Sequence, residues 1–257
     1  MRELSLFTGA GGGLLGTKLL GWEPIGYVEF NDYCQRVIKQ RIIDGVLPNA
    51  PIFGDIRAFI SEGYAEAYQG LVDVITGGFP CQPFSNAGKR LGADDHRNMW
   101  PATIDCIRII RPRYAFLENV PGLVTSGYFG TILSDLHQSG YDCRWRILSA
   151  DEMGAPHKRD RLWLMANTTS FRCSKNKEQH GHGNRSVSAK KIERWMLELE
   201  RMDSDGKDSI IRHRLSSGDR RGDDGLAIDM DRLKAIGNGQ VPTVAATAWR
   251  ILSGNII

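Results

Sequence analysis

Over its first 167 residues the chain alternates short apolar runs with stretches of helical periodicity, and this constrains the fold more than any other feature. Apolar run, amphipathic helix, apolar run is the pattern of βαβ units and of a mostly parallel sheet. The runs predict strands at Leu4–Phe7, Pro24–Phe30, around Pro51–Ile56, Val72–Thr76, Tyr114–Leu117, Cys143–Leu148 and Arg161–Met165. Between them the spacing predicts helices at Gly13–Leu20, Tyr33–Ile42, Met99–Ile110 and Tyr128–His137. Pairs such as Val37 and Ile38, Ile104 and Ile107, Leu133 and Leu136 give these helices an apolar face toward a sheet. A last helical pattern, Val241–Leu252, begins with Pro242, a residue favoured at helix starts. The expected fold class is α/β.

With 257 residues, 41% hydrophobic and 25% charged, the composition is that of a globular protein and excludes disordered and collagen-like classes. No apolar run approaches the roughly 20 residues of a membrane span. The opening Met1-Arg2-Glu3-Leu4-Ser5 lacks the basic-then-apolar build of a signal peptide. Five cysteines at unpatterned spacings suit free thiols in a reducing compartment. The expectation is a cytoplasmic protein, monomeric and without a membrane partner. Net charge is only +3, but it is unevenly placed: Thr168–Lys234 holds 15 Lys and Arg against 12 Asp and Glu. This polar stretch reads as an insertion, which divides the chain into 1–167, 168–234 and a final 235–257 that packs back on the first part.

Candidate chemistry gathers at the ends of the predicted strands. The first runs into Phe7-Thr8-Gly9-Ala10-Gly11-Gly12-Gly13 and then a helix. Glycines there let the backbone approach a ligand, so a phosphate, a carboxylate or an adenosine-bearing cofactor can sit at the turn. The second strand leads into Glu29, an acid placed to take both hydroxyls of a ribose; a tight turn with a surface acid is the alternative. After Val72–Thr76 comes Gly77-Gly78-Phe79-Pro80-Cys81-Gln82-Pro83-Phe84-Ser85, in which two prolines stiffen the turn around one cysteine. Cysteine is the most nucleophilic side chain near neutral pH. Glu118 ends the fifth strand, where a general acid or a partner for a ring nitrogen would be placed. The cations of His157-Lys158-Arg159-Asp160-Arg161 enter an apolar strand and suit a carbonyl or phosphate ligand.

These segments together resemble the cytosine-C5 DNA methyltransferase family. The resemblance is carried by Phe7-Thr8-Gly9-Ala10-Gly11, Glu29, Gly54-Asp55-Ile56, Gly78-Phe79-Pro80-Cys81-Gln82, Glu118-Asn119-Val120, Arg159-Asp160-Arg161 and Gly237-Asn238-Gly239, in the family's linear order. His157 stands where the family usually has glutamine, and Gly239 where it usually has Ser or Ala; both read as tolerated variants.

The resemblance implies a Rossmann-like methyltransferase with a small target-recognition insertion, S-adenosyl-L-methionine as cofactor, double-stranded DNA as substrate and no metal. In the family the cysteine thiolate attacks C6 of a flipped-out cytosine and so activates C5 for methylation. It therefore implies Cys81 as nucleophile, Glu118 at N3, Arg161 at the base's O2 and Arg159 bracing the loop. Phe7, Thr8, Gly9 and Gly11 would hold the cofactor, with Glu29 on its ribose, Asp55 on the adenine amino group, Ile56 on the ring, and Pro80 and Asn238 completing the site. Gln82, Ser85, Lys89, Arg90 and Arg97, in a glycine-containing loop after Cys81, would meet DNA as it closes. Thr168–Lys234 would read the site, and a cognate restriction endonuclease is the candidate protein partner. Cys173, His180 and His182 lack a fourth zinc ligand at suitable spacing. Three other readings are an RNA (tRNA) cytosine-C5 branch, whose Cys-Phe-Thr signature is missing from this sequence, a binding module that has lost catalysis, against which the intact Cys81, Glu118 and Arg161 speak, and a relative using a modified cofactor or transferring another group.

Overall fold

The seven predicted strands all form in the computed structural model, which describes residues 1–80, 98–168 and 239–254. Contacts group the chain into two units, Met1–Arg172 with Ala235–Ile257, and Cys173–Lys234; all the described residues fall in the first. The strands are β1 (Arg2–Leu6), β2 (Glu23–Val28), β3 (Ile52–Phe53), β4 (Val74–Gly77), β5 (Tyr114–Asn119), β6 (Tyr141–Ser149) and β7 (Asp160–Thr168). They make one sheet in the order β3-β2-β1-β4-β5-β7-β6. Strands β1 to β5 pair in parallel, whereas β7 runs antiparallel to both β5 and β6. The reversal follows from the link: Ala150–Arg159 holds only a short 3-10 turn, Asp151–Met153. A parallel return needs a crossover of a dozen or more residues, so this link makes a hairpin.

The helices are α1 (Gly12–Lys18), α2 (Asp32–Ile43), α3 (Ile56–Ser61), α4 (Tyr64–Ala67), α5 (Trp100–Ile110), α6 (Gly122–Thr125), α7 (Tyr128–Gln138) and α8 (Pro242–Ser253). Local chemistry sets their starts. The Asn31 side chain accepts from the Cys34 N–H and caps α2, with Asp32 in the first turn facing the helix dipole. Asp55 accepts from the Arg57 N–H in the same way, so the chain predicted as extended to Ile56 leaves β3 at Phe53 and enters α3.

Leu4, Leu6, Ile75, Leu117 and Leu164 of the sheet pack with Trp100, Ile107, Ile132 and Leu136 of the helices in the main core. The other face carries an aromatic cluster, with Trp249 of α8 edge-on to Trp22 at 4.6 Å, Tyr114 at 5.1 Å and Phe116 at 5.4 Å. There α8 lies close against α1, because Gly16 leaves no room for a side chain: a Cβ would stand 2.6 Å from the Pro242 carbonyl oxygen. Among the described residues no helix is long and apolar enough to cross a membrane.

Candidate active site

Parallel strands deliver their C-terminal ends to one edge, and the segments leaving β1, β2, β4 and β5 therefore meet. The turn after β1 is the first wall. Phe7 (φ 51°), Gly9 (φ 58°) and Gly11 (φ 85°) all adopt left-handed backbone, a conformation easy for glycine and strained for phenylalanine. The Thr8 hydroxyl donates to the Ser5 carbonyl at 3.0 Å and pins the turn to the end of β1. The Gly9 N–H donates to Glu29 Oε2 at 2.6 Å, and the Asn31 N–H donates to Oε1 at 2.8 Å. Two backbone donors thus fix the carboxylate after β2, and each oxygen keeps a lone pair for another donor.

The second wall comes from β4 and β5. Asn119 Nδ2 donates to the Phe79 carbonyl at 3.0 Å, tying the Gly77-Gly78-Phe79-Pro80 segment to β5, while the Phe79 ring packs on Trp100 at 5.3 Å. Gly78 is needed for space: its Cβ would come within 2.8 Å of Glu118 Oε2. Glu118 is 8% exposed, and Arg161 Nε donates to its Oε1 at 2.7 Å. Burial pushes the Glu118 carboxyl above the usual range; Arg161, Arg159 and a hydrogen bond from Gln240 oppose that rise without cancelling it. Arg159 Nη2 donates to the Gly239 carbonyl at 2.8 Å, and its buried Nε finds no hydrogen-bond partner among the described residues. A partly buried guanidinium with an unused donor beside Glu118 suits an oxygen acceptor from outside the chain. The described cysteines are Cys34, Cys106 and Cys143: burial pushes the thiols of Cys106 and Cys143 up to about 12, and Cys34 is buried.

Of the residues predicted for the site, Phe7, Thr8, Gly9 and Glu118 line one cleft, with Glu29 bonded to its turn, Arg161 to Glu118 and Arg159 to the Gly239 carbonyl. Asp55 caps α3 and pairs with Arg57 Nη2 at 2.6 Å, which holds its carboxyl below the usual range. Ile56 is buried in the main core, Gly11 is the N-cap of α1, and Pro80 is exposed. Cys81, Gln82, Ser85, Lys89, Arg90, Arg97 and Asn238 lie outside the described residues, as does 169–234. The cleft also contains Gly13, Thr17, Thr76 and Gln240, which the sequence reading missed. Outside that lining, Phe30 beside Glu29 is 74% exposed, a residue that sequence reasoning did not single out. Its signal was legible: an aromatic side chain at the end of a buried strand, next to a candidate ribose acid.

A sheet with parallel strands and a reversed β7 defines a Rossmann-like α/β domain, and solved structures share that fold. The S. pombe Dnmt2 methyltransferase aligns with a TM-score of 0.53 and 21% identity, over 71% of this chain and 58% of that one. The model of the C-5 cytosine-specific DNA methylase family matches residues 1–249, and the chain belongs to that family. Type II methyltransferase M.NgoMIV of Neisseria gonorrhoeae is 34% identical over 168 residues, covering 64% of this chain and 51% of that protein. M.NaeI of Lentzea aerocolonigenes is 34% identical over 175 residues, covering 66% of this chain and 41% of that protein. The chain thus matches about half or less of the length of these relatives.

Proposed function

We propose that the chain is a DNA (cytosine-5)-methyltransferase that transfers a methyl group from S-adenosyl-L-methionine to C5 of a flipped-out cytosine in a short double-stranded site. The observation that carries this reading is the buried Glu118 carboxyl, held by Arg161 in the same cleft as the Gly9 turn and inside a family match spanning residues 1–249. The residues fit the cofactor: Glu29 retains acceptor capacity for a ribose diol, and the exposed Phe30 ring beside it can stack on adenine. Bound there, S-adenosyl-L-methionine supplies a methyl group already activated on a sulfonium, so no metal is required.

The chain's own residues do the rest. A base within a duplex hides C6, so the cytosine must leave the stack. The Cys81 thiolate forms a bond to C6, and electron density moves from the ring toward N3 and C5. Glu118, whose carboxyl burial pushes above the usual range, donates a proton to N3 and neutralises the charge gathering there. Arg161 holds that carboxyl in place and offers donors to O2. C5 would receive the methyl group that the bound cofactor supplies; release of the C5 proton to solvent and of the Cys81–C6 bond then restores the thiolate. In this reading 1–167 binds cofactor and catalyses, 168–234 reads DNA through its basic residues, and 235–257 closes the cleft. The cellular partner is a cognate restriction endonuclease, and the protein acts in the cytoplasm as a monomer.

Bisulfite sequencing of plasmid from an expressing host tests the activity and reveals the site together. Cys81→Ala should abolish the modification while cofactor binding persists, and wild type should form a denaturation-resistant adduct with 5-fluorocytosine DNA. An unmodified plasmid, or modification that survives Cys81→Ala, would overturn the proposal.

A further inference from the structure

Gln240, immediately before Val241 and α8, fills space left by three glycines. A Cβ on Gly12 would stand 2.5 Å from the Gln240 carbonyl oxygen, and one on Gly13 would collide with Oε1. A Cβ on Gly78 would stand 3.3 Å from Nε2 and 2.8 Å from Glu118 Oε2, so amide and carboxyl converge above Gly78. The Gln240 amide Nε2 faces the Glu118 carboxyl across Gly78, which places its N–H to donate to Glu118. One residue thereby touches the first turn of α1, the segment leading to Pro80, and Glu118. Its own backbone is held by the Arg159 bond to Gly239 at 2.8 Å and by the close packing of α8 on α1.

We propose that Gln240 is a positioning residue that fixes the Glu118 carboxyl toward the base and locks it to the glycine turn of the cofactor cleft. A carboxyl gripped by one partner keeps a broad terminal torsion. Arg161 supplies one grip, at Oε1. The amide of Gln240 supplies another, and an amide carries no charge that would compete with Arg161 or repel Glu118 at any pH. Among the described residues the charged groups acting on Glu118 are Arg161 and Arg159, and Gly78 beside it is neutral. The inference rests on the role given to Glu118 above.

The test is a double-mutant cycle on single-turnover methyl transfer at saturating DNA and cofactor. Gln240→Met keeps the length and removes the donor; losing one of the two grips on the carboxyl should slow transfer by about tenfold. In a Glu118→Ala background, where no carboxyl remains to be positioned, the same change should cost less than about threefold, because effects routed through one residue are not additive. An equal fold-loss in both backgrounds, or none in either, would overturn the inference. If Glu118→Ala alone loses no rate, it is the role of Glu118 that fails. A wild type that methylates no cytosine removes the proposed function itself. Gln240→Glu, of the same shape, covers the case in which the Met variant does not fold. Two carboxyls in contact should slow transfer at about pH 8 and recover toward about pH 6, where one carries a proton and can donate. Wild-type rates at both values would refute the positioning role.

Discussion

Glu3 sits in the central strand β1 with no exposed surface, and both its oxygens accept from threonines. Thr17 of α1 donates to Oε2 at 2.5 Å, and Thr76 of β4 donates to Oε1 at 2.6 Å. Burial nevertheless pushes its titration from 4.5 to about 7, against the opposing pull of the two hydroxyls. The acid form has a ready arrangement: Glu3 donates to Thr17, whose own proton turns to the Leu14 carbonyl at 3.2 Å. A carboxyl whose folded pKa is raised contributes stability that is full below about 4.5 and falls away as pH climbs to about 7. At about 1.4 kcal/mol per tenfold change in proton affinity, ionisation of Glu3 in the folded protein costs about 3 kcal/mol above neutrality. Glu3→Gln removes that cost and adds one amide hydrogen without an acceptor, a penalty of about 1 kcal/mol. The variant should therefore be about 2 kcal/mol more stable than wild type at about pH 8, and equal or slightly weaker at about pH 5. Urea unfolding of both proteins at the two pH values measures this, and the difference between them cancels every other titrating group. A variant whose stability tracks wild type at a constant offset across that range would refute the reasoning.

Three further outcomes are expected. Gly78→Ala should force apart the Glu118 carboxyl and the Gln240 amide, 2.8 and 3.3 Å from the new methyl, cutting single-turnover transfer by about tenfold to a hundredfold; an unchanged rate would show that the clamp is not needed. Gly16→Leu should drive α1 from α8 and cost about 1–3 kcal/mol or more in thermal unfolding, because even a methyl would meet the Pro242 oxygen at 2.6 Å. Replacing 168–234 by a Gly-Ser bridge should leave cofactor binding in calorimetry but abolish site-selective DNA binding. The salt slope should also become shallower by about 0.9 for each phosphate contact removed, and retained site selectivity would locate recognition elsewhere, most plainly in the loop after Cys81.

The α/β class, the seven strands and the longer helices were legible because buried parallel strands are continuous apolar runs and amphipathic helices carry their period openly. So was the meeting of the Gly9 turn, Glu29 and Glu118 at one sheet edge, since parallel strands end on the same side. The direction of β7 was not: Leu162-Trp163-Leu164-Met165 reads the same either way, and pairing with β5 and β6 decides it. Nor were α3, α4 and α6 expected, being too short for a period to show. The apolar run places the start of the first strand at Leu4, leaving Glu3 outside it, and only the packing of Thr17 and Thr76 around it reveals a buried acid. Gln240 lies far along the chain from Glu118, Gly13 and Gly78 and joins them only when α8 docks on α1. Residue pattern determined which segments become strands and helices and which chemistry sits at their ends, because those depend on neighbours in the chain. Strand direction, the protonation of Glu3 and the grip on Glu118 depend on burial and on partners distant in sequence, and so the tertiary structure alone decided them.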